Sequence, residues 1–112
     1  MMSIANWIQK YKKSTNEDFF LPPNYTLMTN HEHGFVMYRV CGETMWVTQC
    51  CGHQWYWYPI METIAKAFGC KQFKTFTSYS PKIFQKVFKG FKQTYEYSID
   101  NVKYYIFTKE VE

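Results

Sequence analysis

The sequence predicts an α/β (α+β) protein in which a short N-terminal helix precedes elements in the order ββαβαββ. Segments with strand composition alternate with segments whose apolar residues recur at helical spacing, and this alternation indicates the mixed class. The chain has 112 residues, of which 21% are aromatic and 20% charged, a composition too rich in bulky apolar groups for a disordered chain. We expect one domain over residues 1–112, with one modest core and no large enclosed pocket.

Residues 1–33 are expected to hold a helix and an extended segment. The helix spans residues 6–13 and ends at the turn formers of residues 14–16. Its apolar face, at helical spacing, consists of Ile4, Trp7, Ile8 and Tyr11. Pro22 and Pro23 push the residues before them out of the helical region, so an extended segment and an edge strand over residues 25–29 follow.

Strand composition predicts a central hairpin over residues 34–40 and 43–48. It is expected to turn at Cys41 and Gly42, where glycine accepts a positive φ. One face of this register carries Val36, Tyr38, Val40, Met45 and Val47, and the other carries Phe35, Met37 and Trp46. Because both faces are bulky, we expect the hairpin to be covered on two sides.

A strand-to-helix turn is predicted at residues 49–54. The helix that follows is marked by apolar residues at helical spacing, namely Trp57, Ile60, Met61, Ile64, Ala65 and Phe68. Gly69 stands where a left-handed cap ends a helix.

The remaining chain predicts a strand, a helix and a final hairpin. The strand covers residues 70–77, and Ser80 and Pro81 begin a helix that runs to Gly90. The buried stripe of that helix is expected to be Ile83, Phe84, Val87, Phe88 and Phe91. Strands over residues 94–99 and 102–108 place Ile99 opposite Val102, Tyr97 opposite Tyr104 and Tyr95 opposite Ile106, which makes one face apolar.

Positive charge is concentrated in one segment. The net charge is +4, yet residues 66–92 contain seven lysines and no acidic residue. The single arginine, Arg39, disfavours base-specific recognition, because guanidinium is the usual reader of guanine. Nonspecific binding of nucleic acid by the lysine-rich segment and its aromatic neighbours stays open.

The cysteine pattern indicates a reducing compartment. Four cysteines at irregular spacing do not form a disulfide framework, and no secretory signal follows Met1. We expect an intracellular location, in a host cytoplasm or a virion. No apolar run approaches the ~20 residues that a transmembrane helix needs.

The order of elements and two local motifs resemble the GNAT acetyltransferases. Residues 49–54 are similar to that family's Gln/Arg-x-x-Gly-x-Gly/Ala turn in Gln49 and Gly52, and Gly90-Phe91 is similar to the Gly-Phe that closes a later helix. The resemblance covers residues 34–108 and implies a mixed central sheet flanked by helices. It also implies acetyl-CoA, with its pyrophosphate on the backbone amides from Gly52 through His53 to Gln54.

Two positions depart from the family pattern. Gln54 replaces the small residue that lets phosphate approach, and Lys86 stands where the family often has a tyrosine as general acid. The usual N-terminal strand and paired helices are largely missing from residues 1–33. We therefore interpret the chain as a truncated, degenerate relative, and its Lys-, Phe- and Tyr-rich, Leu-poor composition is typical of an AT-rich genome such as that of a tailed phage.

Acetyl transfer needs a group that takes a proton from the amine and one that gives a proton to the thiolate. Glu43 and His53 are candidate bases, and Tyr79 and Tyr95 are candidate acids. The alternative is that Glu43 is a surface charge at the hairpin end and that the tyrosines only pack. No motif pairs an acid with a base.

No metal site is predicted. The ligand types of zinc occur at His31, His33, Cys50, Cys51 and His53, but adjacent cysteines lack the gap that lets two thiolates reach one ion. Cys51 beside His53 is also a weak candidate for a nucleophile, because no third group is evident.

Residues 55–58, Trp-Tyr-Trp-Tyr, start a helix with aromatic side chains in every direction, so some of them must be exposed. We predict a protein-binding surface made by Trp55, Tyr56 and Tyr58 together with Lys82, Lys86 and Lys89. The alternative is that the segment around Trp7 and residues 19–20 covers the helix start.

The preferred interpretation is a non-catalytic, phage-encoded GNAT-like protein that acts through contacts with a viral or host protein, as a virion component or a host-directed factor. An acetyl-CoA-dependent N-acetyltransferase and a nonspecific nucleic-acid-binding protein are the alternatives. The sequence is also compatible with a homo-oligomer.

Overall fold

The computed structural model describes residues 3–78 and 80–111. Its helices are α1 (Ile4–Thr15), α2 (Gln54–Ala67) and α3 (Pro81–Val87). Its strands are β1 (Thr26–Asn30), β2 (Gly34–Cys41), β3 (Thr44–Gly52), β4 (Gln72–Thr77), β5 (Lys92–Ile99) and β6 (Val102–Glu110). They form a six-stranded mixed sheet in the order β1-β2-β3-β4-β6-β5, with only the pair β3 and β4 parallel. The predicted fold class is confirmed.

Helix α1 begins earlier and ends later than predicted because both of its ends are capped. The side chain of Ser3 accepts a hydrogen bond from the Asn6 amide at 3.2 Å, and Asn16 closes the helix at a left-handed φ of 58°. Trp7 and Tyr11 are buried and pack with Phe35 of β2. This helix therefore covers one face of the sheet at β2.

The central hairpin turns one residue later than predicted, at Gly42 and Glu43, because Cys41 still pairs with Thr44, but it keeps the predicted faces. Tyr38 pairs with Val47, and Val40 pairs with Met45. Val36 and Met45 are buried in the cluster that α2 covers, whereas Phe35 is buried under α1 on the opposite face. Both faces are thus covered, as expected. Strand β3 continues to Gly52, beyond the predicted end at residue 48.

Helix α2 covers the second face of the sheet. Trp57, Met61 and Ala65 are its buried residues, and Gly69 adopts the predicted left-handed conformation with a φ of 72°. The expectation that Phe68 joins the buried stripe is wrong, because Phe68 is the residue after the last helical turn and is 63% exposed. None of the described helices is long and apolar enough to span a membrane.

Helix α3 is shorter than predicted and ends at Val87, before Gly90. Phe84 is buried and stacks on Phe107 of β6, with 4.1 Å between ring centroids. Phe88 and Phe91 are half-buried. The side chains of Ile83 and Val87 lie outside the described part of the chain, so their places in the stripe stay predictions.

The final hairpin turns at Asp100 and Asn101, which have φ values of 50° and 66°. All three predicted pairs, Ile99 with Val102, Tyr97 with Tyr104 and Tyr95 with Ile106, are present. Strand β4 pairs with β6 only from residue 105 onwards, so residues 97–104 extend past β4 as a two-stranded ribbon. The apolar face of this hairpin is more exposed than the pattern suggests, with Tyr95 at 62% and Ile99 at 55%.

The parallel strands β3 and β4 stay together for only three register positions. Thr44 pairs with Gln72, Met45 with Phe73 and Trp46 with Lys74. Beyond these positions the strand pairing ends, although β3 continues to Gly52 and β4 to Thr77. A cleft therefore opens in the sheet between residues 48–50 and residues 75–77.

Candidate functional site

The cleft between β3 and β4 has cavities on both faces of the sheet. On the α2 side lies an apolar pocket of about 110 Å³, and on the α1 side lies a groove of about 380 Å³. Both are lined by Thr48, Cys50, Thr75 and Phe88. Because the same residues line both cavities, the cleft joins the two faces of the sheet.

Cys50 lines the cleft with a thiol that is not a nucleophile. Burial, with a smaller contribution from the neighbouring Cys51, raises the pKa of Cys50 to about 12. Burial also raises the pKa of Cys51, against the opposing charge of Lys10. Since the thiolate is the reactive form, neither cysteine is activated for covalent catalysis at neutral pH.

The N-terminus of α2 lies at one mouth of the cleft. The His53 amide, expected to contact phosphate, donates instead to the carbonyl of His33 at 3.1 Å. Among the described residues, the amides of Gln54 and Trp55 have no intramolecular acceptor, and the side chain of His53 does not cap the helix. Two N–H groups at the positive end of the helix dipole thus remain available to an anion.

Two lysines stand beside this helix end. A surface groove next to α2 is lined by Gln54, Tyr58 and Phe88 together with Lys89 and Lys109. The ammonium of Lys109 lies 4.2 Å from the centroid of the Tyr58 ring, a cation–π distance that keeps this charge at the groove. The free amides and the lysines together form a positive rim.

Tyr58 contributes a polar atom to the apolar wall of the pocket. Its ring packs near Phe73, at 5.9 Å between centroids, and its hydroxyl is buried with no hydrogen-bond partner in the described residues. A buried hydroxyl without a partner costs about 1–3 kcal/mol.

Gln49 lines the α1-side groove, and its side chain supports the end of β3. Its Nε2 donates to the carbonyl of Asp18 at 2.9 Å, and its Oε1 accepts from the amide of Phe20 at 3.1 Å. The side chain thereby ties the segment after α1 to the strand that ends at the cleft.

The predicted catalytic residues that the structure describes, Glu43, His53 and Tyr95, lie apart from one another. Glu43 is exposed in the β2–β3 turn, where it pairs with Lys71 at 2.9 Å at the end of β3 opposite to Gly52. Tyr95 is exposed on β5, at the edge of the sheet. Tyr79 lies outside the described residues.

A carboxylate that sequence reasoning missed lines the α1-side groove. Glu17 follows α1 and accepts a hydrogen bond from the Tyr11 hydroxyl at 2.9 Å. No local motif marks this residue, because its place in the groove depends on how α1 docks on the sheet.

His33 and His53 meet where β2 begins and β3 ends. Their Nδ1 atoms are 3.0 Å apart. The His33 ring stacks on Tyr56 at 4.0 Å between centroids, and the His53 ring stacks on Trp55 at 5.5 Å.

The predicted partner-binding residues differ in exposure. Trp55 is 69% exposed, whereas Tyr56 and Tyr58 are half-buried, and the Tyr56 hydroxyl accepts from the side-chain amide of Asn30 at 3.2 Å. Lys82 and Lys86 are exposed on α3, and Lys89 lines the groove beside Gln54.

Sequence comparison finds no family model and no curated protein that matches the chain. Solved structures do share its fold. The ribosomal-protein-S18-alanine N-acetyltransferase of Escherichia coli matches over 98% of this chain and 90% of its own, with a TM-score of 0.59 and 8% identity. A Desulfovibrio desulfuricans protein assigned provisionally to the GNAT acetyltransferases matches over 70% of this chain and 61% of its own, with a TM-score of 0.57 and 12% identity.

The chain has the GNAT fold. A third similar structure is the PaiA N-acetyltransferase of Thermoplasma acidophilum in complex with coenzyme A, with a TM-score of 0.51 and 17% identity. It matches over 70% of this chain, which spans 53% of that protein. The resemblance drawn from Gln49, Gly52 and Gly90 thus predicted the fold correctly.

Proposed function

We propose that the protein binds acetyl-CoA in the cleft between β3 and β4 and acts as an N-acetyltransferase. The observation that carries the proposal is the cleft itself, which joins both faces of the sheet and has free helix amides and lysines at one mouth. The fold shared with N-acetyltransferases supports the same function.

The chemistry of the cleft suits the parts of coenzyme A. The amides of Gln54 and Trp55, with Lys89 and Lys109 nearby, suit the diphosphate, because helix N-termini and ammonium groups favour negative charge. The unpaired ends of the parallel strands suit the arm of coenzyme A that carries amide groups. When bound, acetyl-CoA supplies an activated acetyl group.

The acceptor amine is expected to enter from the α1-side groove. Glu17 lies there and is the candidate to take a proton from the ammonium form of the acceptor. Replacing Glu17 by Gln keeps the hydrogen bond with Tyr11 within reach but removes the base, so it should lower acetyl transfer and leave acetyl-CoA binding unchanged.

Calorimetric titration with acetyl-CoA and CoA tests the binding step. In the variant Gln54→Glu, a carboxylate stands beside the proposed phosphate position, so CoA affinity should fall at least about tenfold. The same carboxylate favours the helix N-terminus by about 0.3–1 kcal/mol, so the fold should be as stable as before. Gln9→Glu makes the same exchange at an exposed residue of α1, so it is the matched control and should bind CoA like the parent.

Transfer is measured separately, as CoA released from acetyl-CoA by chromatography in the presence of a panel of amines and peptide N-termini. The absence of binding at millimolar CoA, or equal affinity in Gln54→Glu and the parent, would reject the proposed site. Binding without release for any acceptor would reject the acetyltransferase activity and keep the site.

The exposed indole of Trp55 favours a second candidate, in which the protein acts through protein contacts without acetyl transfer. A phage origin and a role in a virion or against a host protein belong to this candidate. It predicts that a protein co-purifying with the chain is lost in Trp55→Ala but retained in Phe68→Ala, a control at an apolar residue of similar exposure, 63% against 69%. Equal retention in the two variants would reject Trp55 as the contact.

A further inference from the structure

We propose that His33 and His53 form a two-histidine binding site for a divalent transition-metal ion of the nickel or copper class. The site adjoins the proposed diphosphate position, because His53 directly precedes Gln54 and Trp55 in the chain, but its ligand atoms are side-chain nitrogens that the coenzyme A site does not use. It also differs from the zinc arrangement considered from the sequence, because Cys50 packs on the α2 side of the sheet and Cys51 on the α1 side.

The two Nδ1 atoms stand at hydrogen-bond distance, and the same separation lets both nitrogens bind one ion. Two imidazole nitrogens that bind one ion at about 2.05 Å, and stand 3.0 Å apart, subtend an angle of about 94° at the ion. A tetrahedral angle at the same bond length would need about 3.3 Å between the nitrogens. An angle near 90° is the one between neighbouring ligands in square-planar and octahedral sites, which suit Cu²⁺ and Ni²⁺.

The backbone holds the two histidines side by side. Gly34 and Gly52 pair across β2 and β3, and the His53 amide donates to the His33 carbonyl at 3.1 Å. That carbonyl also accepts from the indole N–H of Trp57 at 2.8 Å. Because both histidines lie at the ends of paired strands, little conformational freedom would be lost when an ion binds.

The side chains around the rings fit the same role. Stacking on Tyr56 and Trp55 restricts the rotation of the two imidazoles. With Nδ1 facing the ion, the Nε2 of His33 lies 3.9 Å from a carboxylate oxygen of Glu32, the type of partner that metal-binding histidines often have. Among the described residues no group of three or more His, Cys, Asp and Glu side chains converges on one point, so a bound ion would take its remaining ligands from solvent.

Titration of untagged protein with NiCl₂ in a calorimeter tests the site. Ni²⁺ is the preferred probe because Cu²⁺ oxidises thiols, and the chain has four free cysteines. We expect one Ni²⁺ per chain. His33→Ala and His53→Ala should each weaken Ni²⁺ binding by about tenfold or more, because the loss of either ligand removes the chelate. His31→Ala, which removes an exposed histidine two positions away, is the matched control and should leave the affinity within about twofold.

A thermal melt with and without Ni²⁺ gives a second readout from the parent protein alone, in case a variant does not fold. An ion that binds only the folded chain should raise Tm, by an amount that grows with the logarithm of its concentration. The proposal is wrong if the parent protein shows neither a one-to-one binding heat nor a rise in Tm. It is also wrong if His31→Ala weakens binding as much as His53→Ala does.

Discussion

The close approach of β2 and β3 at Gly34 and Gly52 leads to a quantitative prediction for Gly52→Ala. Gly52 has a φ of 122°, and a Cβ built on it would overlap the carbonyl oxygen of His33. An alanine in this backbone region costs about 1–3 kcal/mol. Moving the His33 carbonyl away also breaks its hydrogen bond with the His53 amide, which contributes about 1 kcal/mol. The variant should therefore lose about 2–4 kcal/mol of unfolding free energy.

Thermal melting followed by circular dichroism measures this loss. At roughly 4 °C per kcal/mol for a chain of this size, Tm should fall by about 8–16 °C. Gly42→Ala is the matched control, because Gly42 also has a positive φ, of 60°, but a Cβ there meets no atom within 4 Å. It should lose only about 1 kcal/mol. Equal losses in the two variants would refute the steric argument and leave backbone conformation as the whole effect.

Three further predictions concern the core and the cleft. Phe35→Ala removes a fully buried ring that contacts Tyr11 edge to face. Urea unfolding should therefore show that the free energy of unfolding falls by about 3–5 kcal/mol. A fall below about 1 kcal/mol would contradict the docking of α1 on the sheet. Burial raises the pKa of Cys50 from the 9.0 of an exposed thiol to about 12, so the unfolded chain ionises first and the free energy of unfolding should fall as pH rises from about 9 to about 12. Cys50→Ala should reduce that fall, and an unchanged pH profile in that variant would contradict the argument. Tyr58→Phe removes a buried hydroxyl that has no partner in the described residues, so thermal melting should give an equal or higher Tm. A lowered Tm would show that the hydroxyl is satisfied in the folded protein.

Turn chemistry made both hairpins predictable from the sequence. Gly42 in one turn, and Asp100 with Asn101 in the other, accept the positive φ values that a tight connection needs, so each turn determines its register. The alternation of apolar residues then determined which side chains face each helix. The predicted order of elements followed, and with it the GNAT fold.

The end of β3 was harder to predict, because Gly52 looks like a turn residue when considered alone. In the structure Gly52 lies opposite Gly34, and two facing glycines let the strands approach closely and continue their pairing. A cross-strand partner is a tertiary property, so no local pattern shows it. The same reason explains why the His53 amide, expected at a phosphate, bonds to His33.

Gln49, Cys50 and Gln54 of the motif line the cavities of the cleft, but the groups that other elements contribute to it were not predicted. Tyr58 and Lys109 come from different elements and meet only because β6 lies next to β4 in the sheet. Glu17 reaches its groove through the docking of α1. Several interpretations stay predictions. They are the phage origin, the virion or host-directed role, the oligomeric state, nonspecific nucleic-acid binding and an intracellular location.

The ribbon of residues 97–104, which extends past β4, divides the sheet into parts of unequal stability. Two strands without a third neighbour are marginally stable in water, so the ribbon should open locally while the rest of the sheet stays folded. The amide hydrogens of Tyr97 and Tyr104, which form a hydrogen-bonded pair within the ribbon, should then exchange with solvent much sooner than that of Phe107. The turn at Asp100 and Asn101 is consequently the place in this chain where an inserted peptide or a spectroscopic label would disturb the fold least.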